Sequence, residues 1–263
     1  MTKVQRGRLS ATALFLENWA FPLLFAYFAF VHINVLWGFR HVIVSFFATC
    51  LDDGLDMGDV NFAMFFLLRL LMIALNVGFA VGLTTRERTD HEFDDWRDVV
   101  IPLVATSWGF YSGAIMYAHS RINVQLLPTS FGSGWSSLGL LIVLGGAVVS
   151  VVGTWQLKRS FSVYVESHPV VDHGLYGVMR HPIYLGHGLR LVGYCLMSGF
   201  LLYVAVSVSM LMLLFYRAQL EERKLSRSEP GYRDYSRRTP SLAQRFFGRS
   251  APRAAAVIVA AGR

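Results

Sequence analysis

The chain is poor in cysteine, holding only Cys50 and Cys195 among 263 residues. Two cysteines at that distance make neither a disulfide framework nor a cysteine zinc site, and no role is assigned to them. Charge is scarce as well: 16% of the residues are Asp, Glu, Lys or Arg, against 54% hydrophobic and 14% aromatic. A soluble domain carries about 25% charged residues and spaces its apolar residues along one face. Here they come in runs of roughly 20 with few charges, the length that crosses about 30 Å of hydrocarbon. A soluble globular protein is therefore excluded. No internal repeat with interrupted helices in matching positions is present, which removes the main support for a transporter or scaffold lined by Arg69, Arg190 and His187. The acidic stretch "CLDDGLDMGD" lacks the ligand spacing and distal Glu of a calcium loop, and Asp52, Asp53, Asp56 and Asp59 read as a solvated loop. The net charge of +7 does not point to nucleic acid, because Arg and Lys gather in the last 50 residues and beside the apolar runs. Lipid headgroups are the natural counter-charge there.

What is present reads as an all-α, polytopic transmembrane helical bundle of about six spans. They are expected near Asn18 to Trp37, Asn61 to Leu83, Val99 to Tyr117, Ser136 to Leu157, Ile183 to Ser198 and Phe200 to Arg217. The first run follows Lys3, Arg6 and Arg8, is too long for a signal-peptide core and precedes no small-residue cleavage site, so it reads as an uncleaved span. The last two spans are joined only by "MSGF", which predicts a tight C-terminal helical hairpin. Basic residues mark orientation. Loops one, three and five hold Arg40, Arg121 and none, whereas loops two and four hold Arg86, Arg88 and Arg97, then Lys158, Arg159 and Arg180. Both termini are accordingly expected in the cytoplasm. The chain divides into three N-terminal spans of unassigned role (1–135), a core (136–247), and a tail (248–263) expected to be disordered or to lie on a surface. Gly146, Ser150 and Thr154 recur every fourth residue, a spacing that lets helices approach closely.

Between the fourth and fifth spans stands "GLYGVMRHPIYLGH", residues 174–187. Pro182 suits the first turn of a helix, placing His181 near the N-cap. Free amides and the positive end of the dipole favour an anionic group there, and Arg180 adds a full charge. Gly174, Gly177 and Gly186 permit close approach or turns. The bland alternative makes Arg180 a positive-inside anchor and Tyr176 and Tyr184 interfacial belt residues. About 40 residues on come "YRAQLEERKL" and "GYRDYSRRTP", with adjacent Glu221 and Glu222. By themselves these could be a solvated helix end. If the fifth span leaves and the sixth returns, however, the basic entrance and the acidic exit share one membrane face, an arrangement able to bind a zwitterion.

Together "GLYGVMRHPIYLG", the tight hairpin, "EER" and "GYRDYSRRTP" resemble the C-terminal signature of the isoprenylcysteine carboxyl methyltransferase-like group of integral membrane methyltransferases. Phospholipid N-methyltransferases and methanethiol S-methyltransferases are similar in this region. The resemblance covers about a quarter of the chain, residues 174–240, and implies S-adenosylmethionine held at the cytosolic face with a lipophilic acceptor entering from the bilayer. It implies cofactor contacts from Gly174, Tyr176, Arg180, His181, Pro182, Tyr184, Gly186, Glu221 and Glu222, with Tyr232, Tyr235 and Arg238 closing over the site. Gly177 and Val178 stand where relatives carry bulkier or basic residues, and Thr239 replaces an apolar one before Pro240, which leaves the acceptor open. A bacterial inner membrane is the expected location. An NADPH-dependent sterol-type reductase shares an Arg-His-Pro-x-Tyr hairpin, but its members carry Asn where this chain has Ile183 and lack the paired glutamates.

Methyl transfer from a sulfonium to a carboxylate or thiolate annihilates charge and gains from a dry site. Its chief requirement is alignment, which positioning supplies, and no metal is required. Arg217 or Arg238 could clamp an acceptor carboxylate; for a neutral acceptor, Glu221 or His187 could serve as base. Glu222 and His181 are expected at the cofactor's amino-acid end. His187, Arg190 and Tyr194 share one face of the fifth span, and are candidates for acceptor contact or for a structural pairing with Glu221. His32 and Asn34 are expected to make helix-helix hydrogen bonds, and Arg69 raises the same question as Arg190.

Overall fold

A computed structural model describes residues 11–52 except 14, 56–86, 95–106, 134–157, 160–165, 168–241 and 244. Among these residues every regular element is helical. A π-helical turn, Leu16–Ala20, leads into α1 (Phe21–Gly38). Then come α2 (Arg40–Asp52), α3 (Met57–Thr85), α4 (Arg97–Thr106), α5 (Gly134–Leu157), the short α6 (Leu175–Val178), α7 (Pro182–Ser198), α8 (Leu201–Ser228) and α9 (Tyr232–Arg238).

Four helices are long and apolar enough to cross a membrane: Ala11–Gly38, Met57–Thr85, Gly134–Leu157 and Leu201–Ser228. Their outward faces carry large apolar side chains, with Leu23 and Met212 68% and 69% exposed. A monomer in water does not leave so much apolar surface bare; lipid covers it. The fifth expected span is present as α7 within a residue of its expected bounds, but its 17 residues rise only about 25 Å, short of the hydrocarbon thickness. Of the third expected span only α4 is described; 107–117 lie outside the described residues, as does the tail 248–263. One expectation is corrected. The region after the first span is not simply a loop, because the apolar run around "HVIVSFFAT" folds as α2, about 20 Å long and too short to cross. Asp56 and Asp59 form a capping box at the start of α3, each side chain accepting from the other's backbone N–H, at 2.7 and 3.2 Å.

The spine of the bundle is the antiparallel crossing of α5 and α7. Gly139, Gly146 and Gly153 recur every seventh residue on α5, opposite Gly193, Gly186 and Ile183 of α7. A Cβ added at Gly146 or Gly139 would stand 2.6 Å from the carbonyl oxygen of Gly186 or Gly193. Backbones this close forgo large side chains in exchange for dispersion contacts, since lipid tails provide no hydrophobic drive between helices. Gly146 and Ser150 are buried in this seam, and Thr154, also buried, faces Gly78 of α3. α7 stops at Gly199, whose φ of 67° closes the left-handed cap through Gly199 N–H to Cys195 C=O (2.9 Å), and Phe200 begins the return into α8. This is the tight hairpin that "MSGF" predicts.

The N-terminal helices pack with aromatic side chains instead. Phe25 meets Phe79 at 5.0 Å between centroids, and Phe79 stacks on Phe161 at 4.7 Å. His32 bonds across helices to Arg69 at 3.0 Å, whereas Asn34 donates back to Phe30 C=O of its own helix, so its expected interhelical bond is not made. At its other end, α8 runs for 28 residues, about 42 Å, so the segment holding Arg217, Glu221 and Glu222 is a continuation of the helix beyond its apolar part.

Candidate functional site

The residue types that open α7 and close α8 are drawn together by the hairpin. Pro182 occupies the first turn of α7 with His181 at the N-cap, and no side chain caps that terminus. Glu222 accepts from Arg180 Nη1 at 2.8 Å and from His181 Nε2 at 2.9 Å. Glu221 accepts from the Tyr184 hydroxyl and from Arg217 Nε at 3.1 Å, and lies 3.9 Å from His181 Nδ1. The His181 and Tyr184 rings stack in parallel at 5.3 Å. Arg217 is buried, donates to Val163 C=O at 2.8 Å and sits over the Tyr184 ring at 5.5 Å. Two carboxylates, two guanidiniums, one imidazole and one phenol thus form a closed network between segments 41 and 42 residues apart.

These groups border a cavity of about 270 Å³. Of the residues singled out in the sequence, Tyr176, Arg180, His181, Tyr184, His187, Arg190, Arg217, Glu221, Tyr232 and Tyr235 line it. α9 closes one end of the cavity by burying Tyr232 and Tyr235, whose rings lie 5.8 Å apart, and the Tyr235 hydroxyl donates to Tyr176 C=O at 2.8 Å. Burial pushes the Tyr176 phenol well above its ordinary range, with Glu221 adding to the effect. Burial likewise raises Tyr232, with Glu222 assisting, and lifts Tyr235 to about 12, with Arg180 opposing and Asp172 and Glu222 adding. All three are neutral hydroxyls at physiological pH.

Other expected site residues are not brought to the cavity. Glu222 stands behind Arg180 and His181 and fixes them instead of lining the wall. Gly186 faces Gly146 and Ser150 of α5, where a side chain would collide, so it is a packing position. Gly174 has φ of 59° and abuts Gln156, whose Oε1 receives Leu175 N–H at 2.8 Å; its part is to turn the chain into α6. Pro182 packs over Gly153. Tyr194 packs on the apolar core. Arg238 is 71% exposed and pairs loosely with Asp172 at 3.8 Å, because α9 turns its tyrosines inward and its arginines outward. His187 pairs with Arg190, at 2.6 Å, and not with Glu221.

The structure also supplies residues that the motifs do not announce. Phe25, Phe28 and His32 of α1 and Met72, Leu75 and Asn76 of α3 line the cavity, which gives the N-terminal spans a place in the site. Residues 160–165 cross beneath it outside any long helix, with Val163, Tyr164 and Val165 buried. Glu17, fully buried, holds this segment by accepting from Val163 N–H and Ser162 Oγ, both at 2.9 Å, and it pairs with Arg86 at 2.9 Å. A lone glutamate in an apolar run was the available signal, since an ionisable group in a membrane calls for a partner. Among the described residues no group of three or more His, Cys, Asp or Glu is placed to hold a metal ion.

The sequence profile of the phospholipid methyltransferase family matches residues 135–228, which include α5, the cavity floor and the hairpin through Glu222. Similar relatives include the cobalt-zinc-cadmium resistance protein CzcN of Cupriavidus metallidurans, 28% identical over 161 residues, or 60% of this chain and 66% of that protein. The nickel-cobalt-cadmium resistance protein NccN of Alcaligenes xylosoxydans xylosoxydans is 29% identical over 165 residues, 60% of this chain and 67% of that protein. The chain thus spans about two thirds of the length of these relatives.

Proposed function

We propose that residues 135–228, which belong to the phospholipid methyltransferase family, form the core of an enzyme that methylates a lipophilic or small acceptor from S-adenosylmethionine. A carboxylate or thiol is the favoured acceptor. The observation that carries the reading is the meeting of Arg180 and His181 with Glu221 and Glu222 at the end of an aromatic-lined cavity.

The residues fit the cofactor's chemistry. Its amino-acid end is a zwitterion, and this end of the cavity offers both signs of charge: Glu221 for an ammonium, Arg180 and His181 for a carboxylate. Arg180 Nε is buried without a partner, a donor still to be satisfied. The neutral ring faces of Tyr176, Tyr184, Tyr232 and Tyr235 suit a cation. When bound, S-adenosylmethionine supplies a methyl group activated by the sulfonium charge.

The chain's own work is positioning and exclusion of water. Glu222 holds Arg180 and His181 from behind. Val163 C=O and Glu221 fix the Arg217 guanidinium, whose remaining donor edge can orient an acceptor carboxylate. Apolar walls from Phe25, Phe28, Leu75 and Phe79 keep the site dry, which favours a step that cancels charge. A neutral acceptor would need a base, for which Glu221 remains the candidate, because the Arg190 guanidinium occupies Nδ1 of His187. The Lys/Arg bias of the loops supports six crossings with both termini and the cofactor end of the cavity on the cytosolic side, in a bacterial inner membrane, with the core over 136–247. The family match and Ile183 weigh against the reductase alternative.

Titration calorimetry of the full chain with S-adenosylmethionine should show binding on the micromolar scale, and Glu222→Ala should abolish it while the protein stays folded. Unchanged binding in that variant sinks the site. Labelled S-adenosylmethionine incubated with the protein and membrane extract then identifies the product.

A further inference from the structure

Away from the Glu222 network, the same cavity is walled by His32 of α1, Met72 and Asn76 of α3, and His187 and Arg190 of α7. Arg190 Nη2 donates to His187 Nδ1 at 2.6 Å and Nη1 reaches the Met72 sulfur at 3.2 Å, while Nε is buried without a partner. Behind this wall Arg69 Nη1 donates to His32 Nδ1 at 3.0 Å and lies 4.5 Å from the centre of the Phe65 ring, and its Nε is also unpartnered. Among the described residues neither guanidinium has a carboxylate, whereas Arg86, Arg180 and Arg217 each pair with one.

The direction of these bonds is fixed by chemistry. A guanidinium only donates, so each Nδ1 accepts and each ring proton stands on Nε2. Both imidazoles are therefore donors at their second nitrogen. Asn76 spends its Nδ2 on Met72 C=O at 2.7 Å. A thioether is a weak acceptor, and buried charges normally meet a partner or line a pathway. What remains is a chamber rich in donors and positively charged, with no anion supplied at this end by the described residues, beside an apolar wall of Phe28, Leu75 and Leu214.

We infer that this end of the cavity is a subsite for the acidic head, carboxylate or phosphate, of a single-chain amphiphile, with Arg190 the contacting group and the Arg69–His32 pair supporting it. Only the identification of that amphiphile with the methyl acceptor rests on the proposed function; the binding does not. Arg190 offers a planar fork suited to either head.

The test uses the full chain in phosphatidylcholine nanodiscs with radiolabelled oleate, oleyl phosphate and oleyl alcohol. At least one of the two acids should bind 10-fold or more tighter than the alcohol, and the better acid assigns the head group. Arg190→Gln should weaken acid binding roughly 10- to 100-fold and leave the alcohol unchanged, the loss of a charge-assisted contact. Alcohol binding equal to both acids, or an acid preference that survives Arg190→Gln, overturns the subsite. The wild-type comparison decides whether or not the variant folds, and S-adenosylmethionine titration of the variant reports its folding. If wild type prefers an acid but binds no S-adenosylmethionine, the methyl-transfer reading falls and the subsite stands; the reverse result removes the subsite alone.

Discussion

The two ends of the cavity hold the same kinds of side chain in opposite electrostatic states. At one end Arg180 and Arg217 each meet a glutamate, and the network closes on itself. At the other, among the described residues, Arg69 and Arg190 meet only imidazole, sulfur and an aromatic face. The closed end is held by these pairs, which under the proposed function would exchange partners with a zwitterion. The open end has no carboxylate among the described residues. A guanidinium's worth is thus set by what faces it and not by its depth in the bilayer.

That contrast can be broken deliberately. The largest effect is expected from Glu221→Ala, which strips Arg217 and Tyr184 of their shared acceptor and leaves a buried cation uncompensated. A loss of about 3–5 kcal/mol is expected, read by chemical unfolding in detergent. Arg190→Gln should cost less than about 1 kcal/mol in the same assay, because it removes a charge that had no counterpart. Equal losses would erase the distinction between the two ends.

A smaller effect is expected at Arg217 itself. Lys keeps the charge but cannot reach Val163 C=O and Glu221 together, so Arg217→Lys should depress turnover more than S-adenosylmethionine affinity. Equal losses in both would remove Arg217 from acceptor positioning. The smallest is alkaline. Tyr235 ionises near 10 in the unfolded chain and near 12 when folded, a raised value. Its contribution to stability is therefore complete below pH 10 and lost as pH climbs toward 12. Tyr235→Phe should flatten that part of the stability profile and cost about 1 kcal/mol at neutral pH through the bond to Tyr176 C=O; an unaltered alkaline limb would show that another group titrates there.

Much of this architecture was legible because short motifs met strong constraints. Pro182 after His181 marks a helix start, Gly199 marks its end, and a hairpin between them and α8 can only bring Arg180 toward Glu222. The order of the two glutamates was not legible, because which carboxylate faces the cavity depends on the rotation of α8, a property of packing. Gly186 was misread for a related reason: a glycine needed for a helix crossing and one needed for a ligand look alike until the partner helix is known. Arg238 fell on the outer face of a helix of seven residues, too short for its pattern to show which side is buried. The cavity lining from α1 and α3 was hidden among ordinary apolar residues, since Phe25 or Leu75 reads the same against lipid as against a cavity.

One residue binds the whole to its beginning. The Val163 N–H is held by Glu17 and the Val163 C=O by Arg217, so a single residue of the crossing segment couples the first turn of the bundle to the guanidinium beside Glu221. A chain without Glu17 would keep every residue of the matched stretch 135–228 and still lose the carboxylate that holds the Val163 N–H. The turn that carries Glu17 is in this sense a support of the cavity wall, two hundred residues before Arg217 in the sequence.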